Sequence, residues 1–174
     1  MSMVVSYTSR EEIQVHKFGW AVSLGIPLLA IFIQVFVSMR LRFLLVFDLP
    51  LLVTIYFAVA RRRPILGLLT GALIGMAQDA FGHHYIGLNG IAKTIVGFLA
   101  SSLGVKLDVE NPGSRFLMTT AFYLVHQIVF TAINVALVGA HEPWNWGQVV
   151  IRAVLNGAAA VILFFALDRF KLRA

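Results

Sequence analysis

Cysteine is absent from the 174-residue chain, which excludes disulfides, thiolate nucleophiles and cysteine-ligated metals. The absence fixes no compartment. Charge is scarce as well, with Asp, Glu, Lys and Arg at 13% of the residues, 8 acidic against 14 basic. A chain that is 59% hydrophobic with a mean hydropathy of +0.85 cannot cover a soluble globular domain with polar surface. Also missing are a phosphate-binding glycine loop, a nucleophile elbow, an HExxH helix and a paired-carboxylate metal motif, so catalysis has no recognisable carrier. There are no low-complexity tracts and no convincing repeats. The composition is that of an integral membrane protein.

What is present is a series of apolar windows of about twenty residues, each long enough at ~1.5 Å per residue to cross a ~30 Å hydrocarbon core. Six are placed at approximately 18–38, 41–60, 64–82, 86–104, 115–138 and 147–167. The connections are too short for a separate soluble domain. The expected fold is therefore all-α, a single polytopic membrane domain over residues 1–174 with six transmembrane helices in one compact bundle. The first window follows Arg10, Glu11, Glu12 and Lys17, outruns a signal-peptide core and lacks a small-x-small cleavage site, so it reads as a retained helix.

The net charge of +6 gains its meaning from placement. With the amino terminus cytoplasmic, Arg10, Lys17, Arg61, Arg62, Arg63, Lys106, Arg115, Arg169, Lys171 and Arg173 fall on that side. Arg40, Arg42 and Arg152 fall on the other, and Lys93 lies within a helix. Ten against three predicts both termini inside and a basic face toward anionic headgroups rather than nucleic acid.

Pro27 and Pro50 fall inside the first two windows and are expected to kink or open them, freeing the carbonyls of Ser23 and Val46. Arg61, Arg62 and Arg63 before Pro64 read as a tight turn with proline starting the third helix. The stretch from Asp108 to Ser114 is the polar connection in mid-chain.

The densest pattern is PILGLLTGALIGMAQDAFGHHYIGLNG, from Pro64 to Gly90. Gly67, Gly71, Gly75 and Asp79 share one helix stripe, because steps of four residues advance about 400°. Asn89, Lys93, Gly97 and Ser101 do the same on the next helix. Folding the two about His84 sets Asp79 level with Asn89, Gly75 with Lys93, Gly71 with Gly97 and Gly67 with Ser101, so that small residues let the backbones approach. Lys93 snorkelling outward is then expected to reach Asp79, and Asp79→Ala to destabilise more than the joint loss of Asp79 and Lys93.

Counting depth in the other spans adds Asp48, Asn134, Arg152 and Asn156 to the same outer half. Unpaired charges in hydrocarbon cost several kcal/mol, so these side chains are expected to face one another or an outward-open cavity. His126 and Gln127 in the fifth span suit an interhelical hydrogen bond. His83 and His84 read as interfacial loop residues, not metal ligands, and Trp144 and Trp146 as interfacial anchors.

The block FDLPLLVTIYFAVARRRPILGLLTGALIGMAQDAFGHHYIGLNGIAKTIVGFLASSLG resembles the rod shape-determining MreD family. The features that carry the resemblance are Asp48 and Pro50, a basic turn before a glycine-bearing helix, the Gly75 to Asp79 helix end, and the Gly87-Leu88-Asn89-Gly90 restart. The match covers the middle third of the chain. His83, His84, Tyr85 and Lys93 depart from it.

The resemblance implies a noncatalytic scaffold of the bacterial inner membrane, without cofactor or metal, that helps maintain rod shape and direct peptidoglycan synthesis. It implies direct contact with the bitopic protein MreC and, through the complex, with MreB, RodA and its transpeptidase partner. A homodimer is compatible with it. The implied fold is similar to the six-helix substrate-binding subunits of energy-coupling-factor transporters. Such a vitamin-transporter subunit is the alternative reading, distinguished by a pocket of several hundred Å3 with convergent polar groups. A lipid-modifying enzyme would need a phosphate or metal motif that the sequence lacks. The residues expected to face a partner or ligand are Asp48, Pro50, Gly67, Gly71, Gly75, Asp79, Gly87, Asn89, Gly90, Lys93, Gly97, Arg152 and Asn156.

Overall fold

The computed structural model describes residues 18–82, 85–104, 111–139 and 145–171. The expectations resting on Arg10, Glu11, Glu12, Lys17, His83, His84, Lys106, Asp108, Val109, Glu110, Trp144 and Arg173 lie outside these residues. Among the described residues there is no strand, and the helices are α1 (Trp20–Phe32), α2 (Leu49–Arg61), α3 (Pro64–Phe81), α4 (Leu88–Leu103), α5 (Pro112–Ile133) and α6 (Trp146–Asp168). α1 and α5 each widen into a π-helical turn, over Ile33–Val37 and Asn134–Val138.

With those turns included, Trp20–Val37, Pro64–Phe81, Pro112–Val138 and Trp146–Asp168 are long and apolar enough to cross a membrane. The other two helices are not. α2 has 13 residues and α4 has 16, short of the ~20 needed for a full crossing. Two of the six expected spans are thus shorter helices within the bundle.

The second window holds the largest departure. Instead of one helix over 41–60, Arg42–Val46 forms a 3-10 turn, Phe47 is extended, and α2 starts only at Leu49. Pro50 accordingly lies in the first turn of α2, where no intrahelical donor is lost; it does not kink a helix interior. α1 likewise passes through Pro27 as α-helix and departs from regular geometry only at Ile33. The basic turn behaves as expected. Arg62 closes α2 in the left-handed region at φ 50°, and Pro64 opens α3.

α2 is the centre of the bundle: Pro50 to Ala60 are all buried, and the helix touches α1, α3, α4, α5 and α6. A helix that is apolar all round has no face for water, and the middle is where it fits. Side-chain contacts fix the directions. Arg61 reaches Ser23 and Gln34 reaches Leu49, so α1 runs antiparallel to α2. Asp48 meets Asn156 and Tyr56 meets Asp168, so α6 runs parallel to it. α3 and α4 form the most extensive pair, followed by α5 and α6.

Asn156 fastens the broken segment to α6. Its Nδ2 donates to the Val46 carbonyl at 2.9 Å, and its Oδ1 accepts from the Asp48 amide at 2.9 Å. Val46 is the carbonyl whose release the sequence predicted, and it is satisfied from a helix more than a hundred positions away. Asn156→Ala is expected to cost about 1–3 kcal/mol, the desolvation penalty of the groups it leaves bare. Hydrogen exchange over 42–51 should accelerate; unchanged protection there would count against the fastening.

Candidate functional site: a polar layer at two buried helix starts

A helix that begins inside a bundle must satisfy its first amides without water, and α2 does so completely. The Asp48 amide donates to Asn156 Oδ1, the Leu49 amide to Gln34 Oε1 at 3.1 Å, and the Leu51 amide to Asp48 Oδ1 at 3.0 Å. Pro50 has no amide to satisfy, and the Leu52 amide returns to the Asp48 carbonyl. Asp48 is therefore the N-cap of α2, its charge favoured by the positive end of the helix dipole.

The second carboxylate oxygen of Asp48 takes a cation. Lys93, fully buried on α4, places Nζ 2.7 Å from Asp48 Oδ2, 3.1 Å from Asn89 Oδ1 and 3.3 Å from His126 Nε2. Three acceptors match the three donors of an ammonium. For His126 to accept, its proton must sit on Nδ1, so the geometry suits a neutral imidazole. The interhelical bond expected of His126 is present, from α5 to α4; its neighbour Gln127 is half-buried on the adjacent face.

Asp79 plays the same part for α4. Its carboxylate accepts from the amides of Gly87 at 2.9 Å, Asn89 at 3.3 Å and Gly90 at 3.2 Å, and from Asn89 Nδ2 at 2.8 Å. This corrects the expected pairing: Lys93 binds Asp48, and Asp79 is answered by the start of α4. Snorkelling fails because Lys93 is held by acceptors on three sides and Asp79 by donors. Asn89 joins the halves, giving Nδ2 to Asp79 and Oδ1 to Lys93. Asp79→Ala strips acceptors from three amides, two of them in buried contacts, and is expected to cost about 2 kcal/mol, the upper range for a lost cap. Lys93→Met should not rescue it; a double variant as stable as wild type in thermal unfolding would restore the abandoned pair.

The glycine stripe is consumed by the α3–α4 contact. A methyl at Gly67 would strike the Gly97 carbonyl and Ser101, one at Gly71 the Lys93 carbonyl, and one at Gly75 the Asn89 carbonyl and Gly90. Gly67 meets Ser101 as expected, and the Gly97 carbonyl as well. Gly71 and Gly75, however, sit about one turn nearer the α4 start than the His84 fold point implied, opposite Lys93–Thr94 and Asn89–Gly90. Gly87 carries φ 107° just before α4, a conformation that favours glycine.

Of the remaining residues expected in the outer half, Asn156 joins the layer as described, whereas Arg152 is exposed on α6. Asn134 is half-buried at the entry to the π turn of α5. Trp146 starts α6 and is exposed, as an interfacial anchor should be. Gln34 was not anticipated. The signal that could have found it is the Asp48-Leu49-Pro50 start itself, which predicts a free Leu49 amide in need of an acceptor.

The layer is closed except at Asp48, whose side chain keeps 17% of its surface accessible. A recess of about 270 Å3 opens near the same end, between the π turn of α1, the 3-10 turn and the end of α3, with Gln34, Ser38, Met39 and Gln78 in its walls. Asp48, Lys93, Asn89, Asp79 and Asn156 do not line it. Among the described residues no group of three or more His, Asp or Glu could hold a metal ion.

The family model described as rod shape-determining protein MreD matches residues 15–172. No curated protein and no solved structure matches the chain.

Proposed function

Because the chain belongs to the MreD family of rod shape-determining membrane proteins, we propose that it is a noncatalytic scaffold of the bacterial elongation machinery that binds MreC directly. Through that complex it would reach MreB, RodA and its transpeptidase partner and help direct peptidoglycan synthesis. The observation that carries this reading is the polar layer, closed but for the edge of Asp48. Charges buried at the starts of α2 and α4 are answered within the chain, which suits a rigid membrane element better than an open ligand cavity. The alternative of a transporter-like substrate-binding subunit would require the layer's polar groups to converge on a pocket, and they converge on each other.

Arg61, Arg62, Arg63, Arg115, Arg169 and Lys171 gather at one end of the helices, against Arg40, Arg42 and Arg152 toward the other. The positive-inside rule then supports the inner membrane with the basic end and both termini cytoplasmic. In this reading Asp48, Pro50, Asn89, Gly90, Lys93 and Asn156 position the outer interface from within. Its exposed edge is Arg152.

Photo-crosslinkers placed at Arg152, Asp48, and the outward positions Leu73 and Ile91 test the proposal in cells. Recovery of MreC from the outer-half positions is the expected result. Recovery of an ATPase-driven coupling subunit together with a bound small molecule would overturn it.

A further inference from the structure

The basic end holds a second feature, independent of the partner assignment. A shallow recess opens to the surface between α2, α5 and α6, with Arg62, Arg115 and Lys171 in its walls alongside Tyr56 and Asp168. Among the described residues that line it, Asp168 is the single carboxylate. It takes Arg115 Nη2 at 2.6 Å, Lys171 Nζ at 2.9 Å and the Tyr56 hydroxyl at 3.1 Å. Arg62 makes no ion pair among the described residues. Three cations around one carboxylate leave a positive excess at the recess, and the Arg115 guanidinium is held in place by stacking 5.1 Å above the Phe165 ring.

Its position selects the kind of anion. Arg115 lies in the first turn of α5, and Asp168 is the last residue of α6. Both helices are long enough to cross a membrane, so the recess falls at the boundary where phosphate headgroups lie. Beside it Phe165, over whose ring Arg115 stacks, is 53% exposed, an apolar flank for acyl chains. A free anion would use the charge but not this flank. Basic pockets between membrane helices are where anionic headgroups bind.

We propose that this recess binds the phosphate of an anionic glycerophospholipid, with Arg62 and Lys171 contacting the headgroup and the acyl chains running along Phe165. The full chain, purified in neutral detergent, should retain phosphatidylglycerol over phosphatidylcholine in native mass spectrometry. Joint substitution Arg62→Gln and Lys171→Gln should lower phosphatidylglycerol affinity about tenfold or more, with the melting temperature unchanged. Arg63→Gln with Arg169→Gln, which removes two exposed cations without touching the recess, should lower it far less.

Equal retention of the two lipids would overturn the proposal, as would equal losses in the two double variants. Displacement of the lipid by millimolar inorganic phosphate would reassign the recess to a free anion and overturn the lipid assignment.

Discussion

Lys93→Met is expected to cost about 3–5 kcal/mol, the range for breaking a buried ion pair by removing one partner. The substitution roughly conserves volume, so the cost comes from charge. Asp48 Oδ2 would lose its 2.7 Å partner while Oδ1 stayed committed to the Leu51 amide. His126 Nε2 and Asn89 Oδ1 would lose a donor at the same stroke. The damage should concentrate at the start of α2, the central helix, and spread from there. Asp48→Asn keeps an acceptor for Leu51 and removes the charge. The double variant Asp48→Asn with Lys93→Met should therefore be more stable than the sum of the single losses predicts, by a coupling of about 1–3 kcal/mol. Denaturant titrations of the detergent-solubilised protein give all four corners of the cycle. Additive losses would mean that the two charges do not sense each other.

That pair also shows where sequence reasoning stops. Counting residues from helix ends gives depth, and depth alone put Asp48, Asp79, Asn89, Lys93 and Asn156 in one zone, where the structure brings all five into a connected network. Pairing needs azimuth as well. Lys93 turns toward α2 and not along α3, and that direction depends on where α2 begins. The hydropathy of 41–60 hides the break, since Phe43, Leu44, Leu45, Val46 and Phe47 are as apolar as the helix that follows. The local signal was nevertheless present: Asp48 before Leu49-Pro50 is an N-cap followed by a first-turn proline. The Arg115 to Asp168 pair was not legible, because its members are 53 positions apart and each reads alone as a solvated end charge. The glycine spacing identified the α3–α4 contact, but its register is set by the turn that ends in Gly87 at φ 107°.

Gly71→Ala is expected to cost about 2–3 kcal/mol, toward the upper part of the range for overpacking a tight contact, although alanine is the better helix former. The added methyl falls on the Lys93 carbonyl oxygen, with the carbonyl carbon at 2.7 Å and Thr94 Cα at 3.1 Å. These are backbone atoms of α4 and cannot rotate aside, so the helices must separate. Gly90→Ala meets the flexible Met76 side chain at 3.0 Å, with the Met76 backbone in ordinary contact at 3.7 Å, and should cost less than about 1 kcal/mol. Gly25→Ala has nothing within 4 Å and should cost nothing. The three variants thus separate close backbone packing from helix propensity. Because Gly71 presses on the Lys93 backbone itself, separation of the helices should also draw Nζ away from Asp48. The losses from Gly71→Ala and Lys93→Met should then overlap, the double variant losing less than their sum. Thermal unfolding in one detergent measures both effects. Equal stabilities for Gly71→Ala and Gly25→Ala would show that the α3–α4 approach is loose, and fully additive losses with Lys93→Met would show that the glycine contact and the ion pair act separately.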